Sequence, residues 1–163
     1  ALPIYSFEAV VVTGIACDKN EVKVTLRDLP NKPGVVATVF SSLADVNISV
    51  DMLIQTESRG EVADLTFTVT QTDLAHTREV TERVSKDIGA GAVELQQDVA
   101  KVSIVGAGMR SHAGVAAKMF RLLADKSINI QCITTSEIRV SCLIDKQQVD
   151  EAVRTLHEGS GLG

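Results

Sequence analysis

The sequence predicts an α+β protein made of two copies of one small unit, each an antiparallel sheet with two helices on one face. Three observations carry that prediction. The segment from Val22 to Thr56, VKVTLRDLPNKPGVVATVFSSLADVNISVDMLIQT, recurs without a gap eighty positions later from Val102 to Ser136, VSIVGAGMRSHAGVAAKMFRLLADKSINIQCITTS. Within each copy the apolar spacing switches between the two-residue period of a strand and the 3.6-residue period of a helix. Finally, the second copy ends one strand short, while a spare apolar run precedes the first. The landmarks of the repeat hold a constant offset: Gly34 meets Gly114, Ala37 meets Ala117, Phe40 meets Phe120, and Leu43, Ala44 and Asp45 meet Leu123, Ala124 and Asp125.

The elements follow in order. Val22, Val24 and Leu26 alternate with polar residues, the pattern of a strand buried on one face. Asn31-Lys32-Pro33-Gly34 breaks that strand, and Val36, Val39, Phe40 and Leu43 then form one helical stripe that ends near Asp45 to Asn47. From Ile48 the period returns to two. It sets Ile48, Val50, Met52 and Ile54 on a helix-packed face and Ser49, Asp51, Leu53 and Gln55 on a polar one. After the loop SRGEV, Leu65, Phe67 and Val69 mark a strand. Leu74, Thr77, Val80, Val84 and Ile88 mark a second helix, and Val93 and Leu95 a last short strand. The second copy runs through Val102 and Ile104, a helix around Met119 to Leu123, Ile128 and Ile130, Val140 to Ile144, and a helix bearing Val149, Val153 and Leu156. It then closes on EGSGLG without a final strand.

Strand, helix, strand, strand, helix, strand (βαββαβ) is the ferredoxin-like order. The run around Val10 to Ile15 has no place in the first unit and is expected to complete the second, so that the first unit is inserted into the second; the alternative is that residues 8–16 are a linker and the missing strand was lost by truncation. The expected units are residues 17–98, and residues 8–16 with 99–158. Residues 1–7 are a linker remnant and 159–163 a tail.

At 163 residues and 45% hydrophobic content the chain can bury two small cores. No apolar run is long enough for a membrane span, and ALPIYSFEAVV lacks the zones of a signal peptide, which predicts a cytoplasmic protein. A net charge of −5, one Tyr and four Phe argue against nucleic acid as a partner. Cys17, Cys132 and Cys142 show no CxxC spacing, and the last two sit in apolar strands, where a thiol serves as a small hydrophobe. His76, His112 and His157 have no recurring acidic or thiol companion, so no metal site is expected. With no nucleophile motif, phosphate loop or dinucleotide fingerprint, no catalytic centre and no cofactor are predicted in this chain.

The turn from Asn31 to Val36 places a glycine at a helix start, where backbone N–H groups lack intrahelical partners and the helix dipole favours negative charge. Asp51 and Gln55 are expected on one face of the following strand. Amide donors, a carboxylate and a side-chain amide together suit a free amino acid. Pro-Gly before a helix is also common punctuation, and an Asp on a polar strand face is commonly just solvated.

NKPGVVATVFSSLADVNISVDMLIQT, followed by VSIVGAGMRSHAGVAAKMF and INIQCITTSEIRVSCLI, resembles the tandem ACT regulatory region of aspartate kinase, over roughly Val10 to Leu156. VSIVGAGM, SHAGV and TTSEIRVS are the most specific segments. The resemblance implies a dimeric amino-acid sensor under feedback control by threonine, lysine or both. Its target would be a kinase domain that uses Mg-ATP to phosphorylate the side-chain carboxylate of aspartate, opening the route to lysine, threonine and methionine. That domain is not among these residues, so the chain is expected to be an excised regulatory region or a small subunit that pairs with a full-length one.

The resemblance further implies effector pockets where the glycine turn of one unit meets the second strand of another, on a partner chain. The first would use Asn31, Gly34, Val35, Val36, Asp51 and Gln55, facing Asn129 and Ile130. The second would use His112, Gly114, Val115, Ala116 and Thr135, opposed by Asn47 and Ile48. Two departures bear on ligand choice: Asn31 stands where related sequences often have Asp, and Gln131 replaces Asp51 in the second copy. A lysine amine needs a carboxylate such as Asp51 or Glu57, whereas threonine needs only a hydroxyl partner and a small apolar wall. Threonine is the expected principal ligand. The alternative is a free-standing sensor acting on a transcription or transport system.

Overall fold

The computed structural model describes residues 12–107 and 113–161. Val10 and Val11 of the leading strand and His112 of the second expected pocket lie outside the described residues. The chain forms two compact units, residues 20–97 and residues 1–19 with 98–163. In order, the elements are β1 (Val12–Pro30), α1 (Val35–Ala44), β2 (Leu53–Arg59), β3 (Val62–Thr70), α2 (Leu74–Ile88), β4 (Val93–Gly106), α3 (Ala113–Asp125), β5 (Cys132–Thr135), β6 (Arg139–Asp145) and α4 (Val149–Gly159). Short 3₁₀ turns, Gln71–Asp73 and Lys146–Gln148, lead into α2 and α4.

The strand order β2-β3-β1-β4-β6-β5 contains the ferredoxin-like arrangement twice. In the unit of residues 20–97 it reads β2-β3-β1-β4. In the other unit, β4 is flanked by β6 and by the leading half of β1, with β5 outermost. Thr13 at that leading end donates its hydroxyl to the Val105 carbonyl at 3.2 Å. The short strands expected separately are continuous: Val12–Pro30 is one strand of 19 residues and Val93–Gly106 one of 14. Local apolar spacing could not show this, because the polar stretches Asp18 to Glu21 and Gln96 to Asp98 remain extended.

Each unit has its own core. In residues 20–97, Val22, Val24 and Leu26 of β1 and Leu65, Phe67 and Val69 of β3 pack under Val39 and Leu43 of α1 and Val80 and Val84 of α2. Phe40 meets Phe67 edge-on, with ring centroids 5.7 Å apart. In the second unit, Val102 and Ile104 of β4 and Val140, Cys142 and Ile144 of β6 pack under Met119, Leu123, Val149, Ala152 and Leu156.

The repeat extends to backbone detail. Asn47 and Ser127, eighty apart, both adopt positive φ (60° and 56°) just past a helix end. The following amides, of Ile48 and Ile128, return to the carbonyls of Leu43 and Leu123 at 3.0 and 2.9 Å. Each helix is thereby stopped by a left-handed residue at the same position of the repeat. Cys132 and Cys142 are buried in strands and Cys17 is exposed. Burial pushes the Cys142 thiol up to about 12.

Candidate functional site

Gly34 caps the start of α1 at φ 89° and ψ −15°, a left-handed conformation that explains a glycine there. A Cβ built on it would meet nothing within 4 Å, so the backbone angle, not crowding, sets the requirement. The Gly34 carbonyl accepts from both the amide and the hydroxyl of Thr38, each at 2.9 Å. No side chain caps the first turn, and Asn31 is tied by its own amide to the Glu61 carbonyl at 2.7 Å. The second copy differs here. Gly114 lies inside α3 and has no positive φ, so the two glycines of the repeat share a position but not a conformation.

The strand that follows α1 departs from the expected facing. The Asp51 amide donates to the Thr68 carbonyl at 3.0 Å, while the Thr68 amide donates to the Met52 carbonyl at 3.0 Å. Two residues thus oppose one, the pairing of a β-bulge. The Thr68 hydroxyl accepts the Met52 amide at 2.9 Å and holds the bulge together. Beyond it, Leu53 pairs with Phe67, Ile54 with Thr66 and Gln55 with Leu65. Residues directly opposite in an antiparallel pair share a face. Phe67 and Leu65 belong to the core under the helices, so Leu53 and Gln55 lie on the helix-bearing face.

This corrects the expected assignment. Ile48 and Val50 do pack on the helix-side core. The extra residue then shifts the alternation, so that Asp51 and Met52 fall on the opposite face and Gln55 returns to the helix side. Asp51 and Gln55 do not share a face.

The same device recurs eighty residues on. The Gln131 amide donates to the Leu143 carbonyl at 2.8 Å while Cys132 is the register partner of Leu143. Ile133 then pairs with Cys142 and Thr135 with Val140, both helix-side core residues. Leu53 and Ile133 are consequently equivalent: helix-side, on outermost strands, and 49% and 43% exposed. Neither is a site candidate from local sequence pattern alone. The missing signal is the bulge, whose second half is Thr68 or Leu143, far along the chain.

The other expected residues divide by unit. Asn31, Gly34, Val35, Val36, Asp51 and Gln55 belong to the unit of residues 20–97; Asn129 and Ile130 belong to the other, where Asn129 is exposed and Ile130 packs against the core. Of the second set, Gly114, Val115, Ala116 and Thr135 share one unit, with Val115 and Ala116 against its core. Asn47 and Ile48 sit in the other, with Ile48 buried. By the offset of eighty, Asn129 and Ile130 correspond to Ser49 and Val50, so the two opposing pairs are not counterparts.

An ionic cluster lies on β1, β3 and β4. Arg27 donates to Asp64 and Glu94, both at 2.9 Å, and the Asp28 amide donates to Asp64 at 3.0 Å. The Asp28 amide, followed by Arg27, holds the Asp64 carboxyl below the usual carboxylate range. Glu94, followed by Asp64, raises the Arg27 guanidinium above its ordinary value.

Two open clefts lie elsewhere. One, of about 480 Å³, is lined by Cys17, Lys19, Asp150, Val153, Arg154, His157 and Glu158. The other, of about 590 Å³, runs along α2 beside Ala90, Gly91 and Val93. Neither includes a residue of the expected pockets. Among the described residues no group of three or more His, Cys, Asp or Glu could hold a metal ion, and no helix is long and apolar enough to cross a membrane.

Two units of this topology, each with a helix-side outer strand, define a tandem of ACT domains, and ACT-domain family models match residues 24–89 and 102–159. A solved structure of aspartokinase alpha and beta subunits is 48% identical, with a TM-score of 0.86 over 93% of this chain and 99% of that one. The ligand-free regulatory subunit of aspartate kinase from Thermus thermophilus is 38% identical, with a TM-score of 0.87 over 91% and 98%. The aspartate kinase of Pseudomonas fluorescens is 45% identical over 152 residues, 93% of this chain. The chain belongs to the aspartate kinase family, as its tandem-ACT regulatory region. It spans 37% of the length of that Pseudomonas relative.

Proposed function

We propose that this chain senses a free amino acid, threonine first and lysine second, and so imposes feedback inhibition on the ATP-dependent phosphorylation of L-aspartate to 4-phospho-L-aspartate. The observation that carries the reading is the placement of Gln55. It projects on the helix-bearing face of an outermost strand, where a side-chain amide can bond an amino acid held by the first-turn amides of another ACT unit. Threonine is favoured because Asp51, one of the two carboxylates expected to face a lysine amine, lies on the other face of the strand.

The partners in this reading are a second copy, met through the ACT domains, and an aspartate kinase catalytic domain or full-length subunit in the cytoplasm. Mg-ATP belongs to that catalytic domain. The effector acts by binding one arrangement of the regulatory region more tightly than another, since a ligand shifts an equilibrium only by its differential affinity. Couplings of this kind are about 1 to 3 kcal/mol.

Titration calorimetry of the chain with threonine and with lysine tests the reading, alongside Gln55→Ala. Heat with threonine that Gln55→Ala abolishes, at unchanged melting temperature, supports it. Binding of lysine without threonine would overturn the ligand ranking, and unaltered threonine affinity in the variant would remove Gln55 from the site.

A further inference from the structure

The bulge decides which residues of the outermost strands reach the helix-bearing face, and it does so in both copies. At Asp51 and Met52, and again at Gln131 and Cys132, two residues oppose one, which turns the next residue but one round to the helix side. Each outer strand then presents the same pair on that face, a large aliphatic residue followed two positions later by a hydrogen-bonding one: Leu53 with Gln55, and Ile133 with Thr135. Along a strand two positions are about 7 Å apart, comparable to the length of a small amino acid. Leu53 is adjacent to Phe67, which packs edge-on against Phe40 of α1, so it stands just outside the core on the α1 side. Its 49% exposure leaves an aliphatic surface that the unit itself does not cover.

We propose that Leu53 is a specificity-determining residue, forming the apolar wall against which the effector's side-chain methyl packs, and that Ile133 does the same in the second copy. The inference rests on the amino-acid-sensing reading and deepens it. Gln55 satisfies the polar part of the ligand; Leu53 rewards a methyl and penalises a ligand that leaves it bare or brings a charge against it. The two copies share an apolar wall and differ in the polar partner, Gln against Thr. Their ligand preferences then diverge through hydrogen bonding rather than through size. Asp51, whose side chain the bulge sends to the opposite face, takes no part.

The test compares threonine with serine, which differ by one methyl group, on the full chain by titration calorimetry. The wild-type chain should prefer threonine by roughly tenfold, the usual discrimination for one carbon in an apolar pocket. Leu53→Ala should shrink that ratio to about threefold or less by weakening threonine alone. Asp51→Asn should leave both affinities within about twofold. Circular dichroism melting checks that each variant folds. A ratio unchanged by Leu53→Ala, or shifted by Asp51→Asn, overturns the inference while leaving the sensing reading intact. A wild-type chain that binds neither ligand overturns both.

Discussion

Leu53 and Phe67 stand directly opposite one another on β2 and β3, yet Phe67 is fully buried and Leu53 is half exposed. The contrast arises because β2 is the outermost strand and the core ends at β3. The pairing is fixed by Thr68, whose hydroxyl accepts the Met52 amide. Thr68→Val keeps the volume but removes that acceptor from a fully buried position. It should cost about 1 to 3 kcal/mol in urea denaturation. It should also loosen the aim of Leu53 and Gln55, so that threonine affinity falls together with stability.

Ser103 and Ser141 share a buried hydroxyl pair at 2.7 Å between β4 and β6. Replacing either one by Ala strands the other in a dry site, at about 1 to 3 kcal/mol. Replacing both removes the stranded group, so the double variant should be markedly less destabilised than the sum of the singles. Chemical denaturation of the four proteins measures that coupling, and strict additivity would show that the two hydroxyls do not depend on each other.

Gly34 and Gly114 occupy equivalent positions of the repeat but should respond oppositely to Ala. Gly34→Ala forces a Cβ into the left-handed region and should lower stability by about 1 to 2 kcal/mol. Gly114 lies in α3 with nothing within 4 Å of a built Cβ, so Gly114→Ala should be neutral or stabilising by up to about 1 kcal/mol. Thermal melts of the two variants decide it.

Asp64 gives a signed pH dependence. Its folded carboxyl titrates below the ordinary value because the Asp28 amide and Arg27 hold the charged form. Its contribution is therefore present above the unfolded value near about 3.9 and is lost as pH falls through the lower folded one. Arg27 is nearly half exposed, so the ion pair itself contributes little. Asp64→Asn should cost about 1 kcal/mol at pH 6, mostly through the Asp28 amide. Denaturation curves of variant and wild type should converge toward pH 2.

The three thiols should separate by accessibility. Cys17 is exposed, while Cys132 and Cys142 are buried and the Cys142 thiol is pushed up to about 12. Iodoacetamide at pH 8 should alkylate Cys17 in the native chain, and the other two only after denaturant is added. Mass spectrometry of the labelled peptides reads this directly.

Much of the fold is legible in the sequence because it rests on local periodicity. The stripe of Val39 and Leu43, the alternation of Val22, Val24 and Leu26, and the offset that pairs Asn47 with Ser127 are all short-range facts. Whether the polar stretch Asp18 to Glu21 bends away or stays extended is not local, and the chain chose the latter. The facing of Leu53 and Gln55 was illegible for a sharper reason. Strict alternation from Ile48 is correct up to Val50, and the extra residue that breaks it is set by hydrogen bonds to Thr68. Gln55 is a candidate from its place on the strand after the glycine turn and again from the resemblance, whereas Leu53, an apolar residue on a strand face read as polar, is not.

The long β1 strand has a consequence for the order in which the chain can assemble. Residues 20–97 carry all four of their strands in one contiguous stretch, so that unit can form as soon as the stretch is available. The other unit cannot: Thr13 finds its partner Val105 only across 92 positions. Closing so long a loop is slow compared with local pairing. During synthesis the segment Val12–Lys19 must wait with an unpaired backbone edge while the inserted unit forms behind it. The outer unit is therefore the one most exposed to mispairing and aggregation.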